Sequence, residues 1–236
     1  MTAHEIDGPM VSRPIISRHG VFFWLFSTLV TIRFTFLLVM VLMAGLGRRS
    51  IPQVLVWIGV ATLGILLHEF GHVAAARYFG HRPKVELYTL GGLTSWSTDR
   101  RAGWRERLIT SLAGPAIGFV LAGVVWVALR WLAPYLTRPL LLLGFRDFMW
   151  VSVGWGLFNL VPVLPLDGGQ ALEAILGAAR VRAPRRTTRL ISIAVGAVVA
   201  VLSFVSGWFW AGCLAALFGY NNAQQVRGLQ EIRVVG

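Results

Sequence analysis

The sequence predicts an all-α polytopic membrane protein of about six transmembrane helices with a short membrane-associated β-hairpin. Of its 236 residues, 56% are hydrophobic and 14% are charged, whereas a soluble domain carries about 25% charged residues. Several apolar runs approach or exceed the roughly 20 residues with which a helix crosses a hydrocarbon core of about 30 Å. The basic residues concentrate in alternate loops, as they do in proteins that cross a membrane several times.

The apolar runs give the predicted number of spans. They lie at residues 21–45, 54–79, 108–132, 148–163 and 190–220. The last run would be about 46 Å long as one helix, half as long again as the hydrocarbon core, so we expect it to divide near Ser206 and Gly207 into two spans. The first run is too long for the apolar region of a signal peptide, and it contains Arg33. These runs predict six helices.

The excess of basic residues predicts how the helices are oriented. Lys and Arg outnumber Asp and Glu by 22 to 10, for a net charge of +12. In a chain this apolar, the excess indicates loops on the cytoplasmic face beside anionic lipids, and not a nucleic acid partner. The basic residues concentrate at 13–18, 77–107, 180–189 and 227–233. With six spans, we expect both termini in the cytoplasm and the protein in the plasma (inner) membrane.

A β-hairpin is predicted in the loop after the second span. Residues 84–88 alternate polar and apolar side chains, and residues 90–96 follow with the glycine pair Gly91-Gly92. The hairpin lies where it can dip into the membrane.

Two of the ten carboxylates are expected to have a chemical role. Glu69 and Asp167 lie beside apolar spans, where acidic groups are costly and rare. The remaining eight are expected to be solvated charges in loops or tails. These are Glu5, Asp7, Glu86, Asp99, Glu106, Asp147, Glu173 and Glu231.

Glu69 belongs to the motif His68-Glu69-Phe70-Gly71-His72 near the end of the second predicted span. Two histidines four residues apart share one face of a helix, so both can bind one zinc ion, and Glu69 can reach a water molecule on that ion. A tetrahedral catalytic zinc has three protein ligands and one open position, so a third ligand must come from elsewhere. The alternative is an accidental motif whose ionisable groups are satisfied by polar neighbours, which is costly beside an apolar span.

The segment 159–169, NLVPVLPLDGG, offers that third ligand at the end of the fourth predicted span. Pro162 and Pro165 cannot continue a regular helix, so the backbone around Asp167 should be unwound. A membrane tolerates unwound backbone only where protein or a water-filled cavity surrounds it. Because spans two and four run in the same direction, both motifs fall at cytoplasmic ends, and one metal ion can be reached from both.

The combination of HEFGH on an early span and NLVPVLPLDGG on a later one resembles the site-2 protease family, the zinc-dependent intramembrane metalloproteases. The resemblance implies that His68, His72 and Asp167 hold zinc and that Glu69 is catalytic. It also implies that Asn159 orients the substrate or stabilises the oxyanion.

Two further segments resemble the family. Gly91-Gly92 is similar to its membrane-dipping hairpin, and Ala113-Gly114-Pro115 is similar to its third-helix signature. Family members often carry Asn three residues after that proline, where this chain has Gly118. The resemblance covers residues 65–172, within a catalytic core at about 54–172 of a single membrane-embedded domain, 1–236. No PDZ or CBS domain can be fitted into this length, so substrate selection is expected to rest on the membrane core, the short loops or a separate adaptor.

The resemblance implies a zinc-dependent intramembrane endopeptidase with one Zn²⁺ per chain. Its partners would be the lipid bilayer and a transmembrane protein or peptide, cleaved in or near its transmembrane segment during regulated intramembrane proteolysis. The predicted hairpin can pair with an extended substrate as an added strand. Two alternatives remain: a catalytically silent relative that only binds membrane proteins, which would not need Glu69, and a metal transporter, which would need ligands in further layers of the membrane.

Overall fold

The structure is a computed structural model that describes residues 9–45, 49–97 and 102–234, with the side chains of 97 and 229–234 left out. Seven α-helices and five β-strands lie in these residues. The helices are α1 Phe34–Met43, α2 Ile51–Tyr78, α3 Trp104–Leu132, α4 Pro139–Asn159, α5 Asp167–Ala178, α6 Pro184–Val205 and α7 Phe209–Val234. The strands are β1 Ile15–Ile16, β2 Gly20–Leu25, β3 Thr28–Arg33, β4 Arg82–Tyr88 and β5 Gly91–Ser97.

Four helices in the described part of the chain are long and apolar enough to cross a membrane. They are α2, α4, α6 and the stretch Trp104–Tyr135, which includes α3. The protein is therefore an integral membrane protein, but the prediction of six spans is not confirmed. The predicted break after α6 is confirmed, since α6 ends at Val205 and Gly207 has a left-handed φ of +76° before α7 begins. Helix α7 is not among the four, because its second half carries Asn, Gln and Arg side chains.

The first predicted span, 21–45, is wrong as a single helix. Its first half forms the hairpin of β2 and β3, and only ten residues form the helix α1. The hairpin turns at Phe26 and Ser27, which both have positive φ, as the tight turns that match strand twist require. A run of apolar residues is compatible with a buried strand as well as with a helix. Here β3, which is rich in β-branched residues, pairs with β2 and β4 in a sheet.

The five strands form one sheet in the order β1-β2-β3-β4-β5. Neighbouring strands are antiparallel except β3 and β4, which are parallel with Val30 opposite Val85. The hairpin predicted at 84–96 is confirmed as β4 and β5, with Tyr88 opposite Gly91. Strand β4 lies between two others, so β5 is an edge of the sheet.

The chain forms two compact units, one of residues 1–101 and 113–156 and the other of residues 102–112 and 157–236. In the first unit the sheet, α1 and α2 share a hydrophobic core that includes Phe36, Ile65 and Leu87. The α2 helix is fixed near both ends. The Trp57 indole N–H donates to the Met40 carbonyl (3.0 Å), and Arg77 in its last turn donates to Thr28 Oγ1 (2.8 Å).

Close helix contacts in the first unit occur at glycines. A Cβ on Gly71 of α2 would lie 2.5 Å from the carbonyl oxygen of Ala113 in α3, and one on Gly64 would lie 3.0 Å from the side chain of Val151 in α4. Small residues allow helices in a membrane to approach closely. Helix α2 therefore packs tightly against both α3 and α4.

The second unit contains α5, α6 and α7. Helices α6 and α7 pack against each other, and a Cβ on Gly196 would lie 3.2 Å from the Ala215 carbonyl oxygen and 3.3 Å from the Cα of Gly219. The two helices run antiparallel, because Ser192 near the start of α6 and Asn222 in the second half of α7 both bond to the same residue, Leu164.

Three carboxylates expected to be solvated are buried, which contradicts the sequence-based expectation. Asp147 accepts two hydrogen bonds from the Arg49 guanidinium, one of 3.0 Å. Glu173 pairs with Arg107 at 2.7 Å, and Glu106 is also buried. A buried carboxylate is tolerated when a cation compensates its charge. Of the others, Glu86 is half-buried and pairs with Arg33, while Glu5, Asp7, Asp99 and the Glu231 side chain lie outside the described residues.

Candidate active site

His68 and His72 lie together on α2, one helical turn apart and both buried. Their Nε2 atoms are 3.3 Å apart. Two nitrogen ligands at 2.0–2.1 Å from a tetrahedral zinc ion are separated by about 3.3 Å. The expected four-residue spacing on one helical face is therefore confirmed, and the spacing of the two nitrogens suits one metal ion.

Gly114 leaves room for the two imidazoles. A Cβ on Gly114 would collide with His72 Nε2 and would lie 2.8 Å from His68 Nε2. Together with the Gly71–Ala113 contact, this explains why the Ala-Gly-Pro signature of α3 contains a residue without a side chain. The sequence supplied the signature but not this reason.

Glu69 is buried beside the hairpin. Its Oε2 accepts a hydrogen bond of 2.7 Å from the Thr94 hydroxyl of β5. On the same strand, a Cβ on Gly92 would collide with the Glu69 carboxylate. Sequence reasoning did not find Thr94, because the contact joins residues 25 positions apart, and the glycine pair was interpreted only as part of a hairpin.

The tip of the hairpin packs against α4. Gly91 has a φ of +124°, and a Cβ there would collide with the Trp155 ring of α4. At the end of β4, burial and the charges of Glu69 and Glu86 hold the pKa of the Tyr88 phenol above its usual value. Tyr88 therefore stays neutral at physiological pH.

In the second unit, Asp167 is the first residue of α5 and is buried. Helix α4 ends at Asn159, also buried, and residues 160–166 between the two helices are not helical. The unwinding predicted from Pro162 and Pro165 is confirmed, but it ends immediately before Asp167. The carboxylate lies at a helix N-terminus, where the dipole favours negative charge.

Among the described residues, His68, His72 and Asp167 are all buried and offer the donor atoms that could hold a metal ion. Two imidazoles and one carboxylate are a donor set typical of catalytic zinc, which keeps a fourth position open. Together with the space that Gly114 leaves at the histidines, the donor set fits a zinc ion.

Gly118, where the family often carries Asn, also lies beside this site. A Cβ there would be 4.0 Å from His68 Nδ1 and 3.2 Å from the carbonyl oxygen of Ser152. The backbone of α4 therefore occupies the space next to this glycine.

A HExxH motif on an apolar helix, with a third ligand of this type, defines a membrane-embedded zinc metalloprotease site. Residues 56–135 and 141–203 match the model of peptidase family M50. Because these ranges cover more than half of the chain, the protein belongs to this family. The family and the grouped side chains identify zinc as its cofactor.

Two relatives illustrate the similarity. Zinc metalloprotease MJ0392 of Methanocaldococcus jannaschii is 26% identical over 213 residues, which are 87% of this chain and 60% of that protein. Rip3 of Mycobacterium tuberculosis is 29% identical over 188 residues, which are 72% of this chain and 46% of that protein. The chain thus matches about half to three fifths of the length of these relatives.

The fold is similar to that of the site-2 protease from Methanocaldococcus jannaschii. The TM-score is 0.61 at 23% sequence identity, over 91% of this chain and 94% of that chain. This supports the site-2 protease fold that the paired motifs imply.

Proposed function

We propose that this protein is a zinc-dependent endopeptidase that hydrolyses a peptide bond in or beside the transmembrane segment of a membrane protein substrate. The observation that carries the proposal is the buried pair His68 and His72, with Glu69 between them, on a helix long and apolar enough to span a membrane. A catalytically silent relative would not require Glu69. The test is cleavage of a reconstituted substrate by the wild type and by Glu69→Gln.

His68, His72 and Asp167 are the proposed zinc ligands, one ion per chain. When bound, zinc supplies a Lewis acid that polarises a carbonyl group and lowers the pKa of water toward about 7. Burial of the three ligands limits competition from bulk water and strengthens their electrostatic interactions.

Glu69 is the proposed general base and acid. Its carboxylate takes a proton from the attacking water and later donates it to the leaving amine. The Thr94 hydroxyl donates to one oxygen of this carboxylate (2.7 Å) and so restricts its orientation. Tyr88 adds no negative charge there, because its phenol stays neutral.

Strand β5 is the proposed docking edge for substrate. A helical substrate must unwind before its scissile carbonyl can be attacked, and pairing with an edge strand replaces the hydrogen bonds it loses. The hydroxyl of Thr94 and the backbone at Gly92 lie against Glu69, so a segment paired along β5 runs beside the catalytic carboxylate. Side-chain selection then depends on the short loops, the membrane core or a separate adaptor.

Cross-linking tests this docking edge. Single cysteines at Leu93 and Ser95 of β5, in a Cys213→Ser background, are expected to cross-link to cysteines in an extended substrate. Lys84 is the matched control, because it lies opposite Ser95 in the sheet but on the inner strand β4. We expect a several-fold higher yield from the β5 positions, measured on gels. Equal yields from Ser95→Cys and Lys84→Cys would contradict strand pairing.

Asn159 is proposed to stabilise the oxyanion or orient the substrate. It is the buried last residue of α4, and its amide can donate to a developing oxyanion. Loss of one such donor costs on the order of 10²–10³ in kcat. Because zinc shares the charge, we expect Asn159→Ala to lower kcat by about 10² or somewhat less.

The alternative role for Asn159 is to satisfy backbone groups near the prolines. Cleavage, zinc content and thermal stability of Asn159→Ala distinguish the two roles. Gln170→Ala is the control, because that side chain donates to the Pro165 carbonyl (3.1 Å). Normal melting and zinc content with slow cleavage supports the catalytic role, whereas lowered melting with a proportionate loss of zinc supports the structural one.

Both termini are proposed to lie in the cytoplasm, in the plasma (inner) membrane. Two features support this topology. Strand β3 pairs with β4, which follows the C-terminal end of α2, while α1 reaches Trp57 near the other end of α2. The N-terminal strands and the basic segment 77–107 are therefore proposed to share one side of the membrane. Helix α7 runs antiparallel to α6, so its C-terminal end returns toward the basic segment 180–189 at the start of α6.

A further inference from the structure

The backbone hydrogen bonds of the segment between α4 and Asp167 are unusual. Pro162 and Pro165 have no N–H to donate, and residues 160–166 lack regular helical hydrogen bonds. Polar backbone groups that are buried in a membrane protein must find partners inside the protein. The partners of Leu164 come from two helices much later in the chain.

Ser192 of α6 binds the amide of Leu164. The Leu164 N–H donates to Ser192 Oγ at 2.9 Å, and the Ser192 hydroxyl donates in turn to the Thr188 carbonyl at 2.8 Å. Ser192 is fully buried. Its hydroxyl therefore connects the segment to the backbone of α6.

Asn222 of α7 binds the carbonyl of the same residue. Its Nδ2 donates to the Leu164 oxygen at 2.6 Å and to the Phe218 oxygen at 2.8 Å. Both amide hydrogens are thus used, and the amide orientation is fixed by two acceptors. Asn222 is 4% exposed, so water is a poor substitute for either bond.

The segment is also packed against the first turn of α5. A Cβ on Gly169 would lie 2.5 Å from the Leu164 nitrogen, and a Cβ on Gly168 would collide with the Leu160 carbonyl oxygen. The segment is therefore held both by α5 and by the polar side chains of α6 and α7. A shift of Leu164 has to move the first turn of α5, and with it Asp167.

We propose that Ser192 and Asn222 are positioning residues that fix Asp167 for zinc binding through the backbone of Leu164. This inference rests on the proposed function, because it requires Asp167 to be a ligand. Partners that orient a metal ligand typically contribute 10–100-fold to metal affinity. Both residues lie outside the HExxH and Leu-Asp-Gly motifs, and Asn222 is 55 residues after Asp167.

The experiment compares Asn222→Leu with Asn221→Leu in the purified full-length protein. Leu is close to Asn in size but donates no hydrogen bond, and Asn221 is exposed on the same helix. Zinc affinity is measured by competition with a chelator, and the ligand geometry by the absorption spectrum of the cobalt(II)-substituted protein. We expect Asn222→Leu to weaken zinc binding by about 10–100-fold and to change the cobalt spectrum, with Asn221→Leu unchanged.

Ser192→Ala gives a second, milder test, because it removes one acceptor and leaves the helix intact. It is expected to weaken zinc binding in the same direction and to retain cooperative unfolding. Wild-type affinity and spectrum in both Asn222→Leu and Ser192→Ala would overturn the inference, even if their melting temperatures fell.

The same titration separates this inference from the proposed function. If Asp167→Ala also binds zinc like the wild type, the ligand assignment itself is wrong. If Asp167→Ala loses zinc while Asn222→Leu and Ser192→Ala keep it, only the positioning role is overturned.

Discussion

Glu69→Gln is expected to reduce cleavage by on the order of 10⁴ while leaving about one zinc per chain. General acid–base catalysis contributes roughly 10²–10⁴, and Glu69 is proposed to move the proton in both directions, so the upper end applies. Gln has nearly the same shape and can still accept the Thr94 hydrogen bond. The substitution therefore removes the proton acceptor and leaves the fold and the zinc ligands in place.

A reconstituted substrate in liposomes, with zinc measured on the same samples, checks this expectation. Thr94→Val is the companion variant, because it keeps the Glu69 carboxylate and removes the hydroxyl that donates to it. Its turnover should fall much less than that of Glu69→Gln. Residual activity of Glu69→Gln near the wild-type rate would show that another group moves the proton.

Loss of any one proposed ligand is expected to remove zinc from the protein. His68→Ala, His72→Ala and Asp167→Ala each leave two protein ligands where a catalytic zinc site uses three. We expect the zinc content to fall from about one per chain to near zero, and cleavage to be lost with it. Elemental analysis of the purified variants measures the stoichiometry directly.

Glu173→Ala is the matched control for Asp167→Ala. Both residues are buried carboxylates of α5, but Glu173 pairs with Arg107 at 2.7 Å. Removing it leaves a cation without its partner, so stability is expected to fall while zinc is retained. Full zinc occupancy in Asp167→Ala together with loss in Glu173→Ala would reassign the third ligand.

The candidate site was predictable from the sequence because its parts are local. A spacing of four residues brings His68 and His72 onto one helical face in any helix, and two prolines interrupt a helix wherever it packs. The break at Gly207 was predictable for a similar reason, since the apolar run exceeded the thickness of a bilayer. The carboxylate of the proline-rich segment and the resemblance of the paired motifs then pointed to Asp167 as the third proposed ligand, which the spacing of the histidines alone did not identify.

Other features were not predictable because they depend on contacts between distant residues. The apolar run at 21–45 was expected to form a helix, yet β3 pairs with β4, more than 50 residues later. A propensity for strand depends on the neighbours that a residue acquires in the sheet. The buried states of Asp147 and Glu173 likewise depend on arginines 98 and 66 residues away.

The sequence by itself determined the membrane environment, the helix that carries the histidines and Glu69, and the position of the unwound segment. Each follows from periodicity, run length or proline within a short stretch of chain. Only the tertiary structure decided that Thr94 binds the Glu69 carboxylate, that Gly114 leaves space at the histidines, and that β5 is an edge strand of a five-stranded sheet. These depend on which distant surfaces pack together, because close packing selects small or hydrogen-bonding residues only where two elements meet.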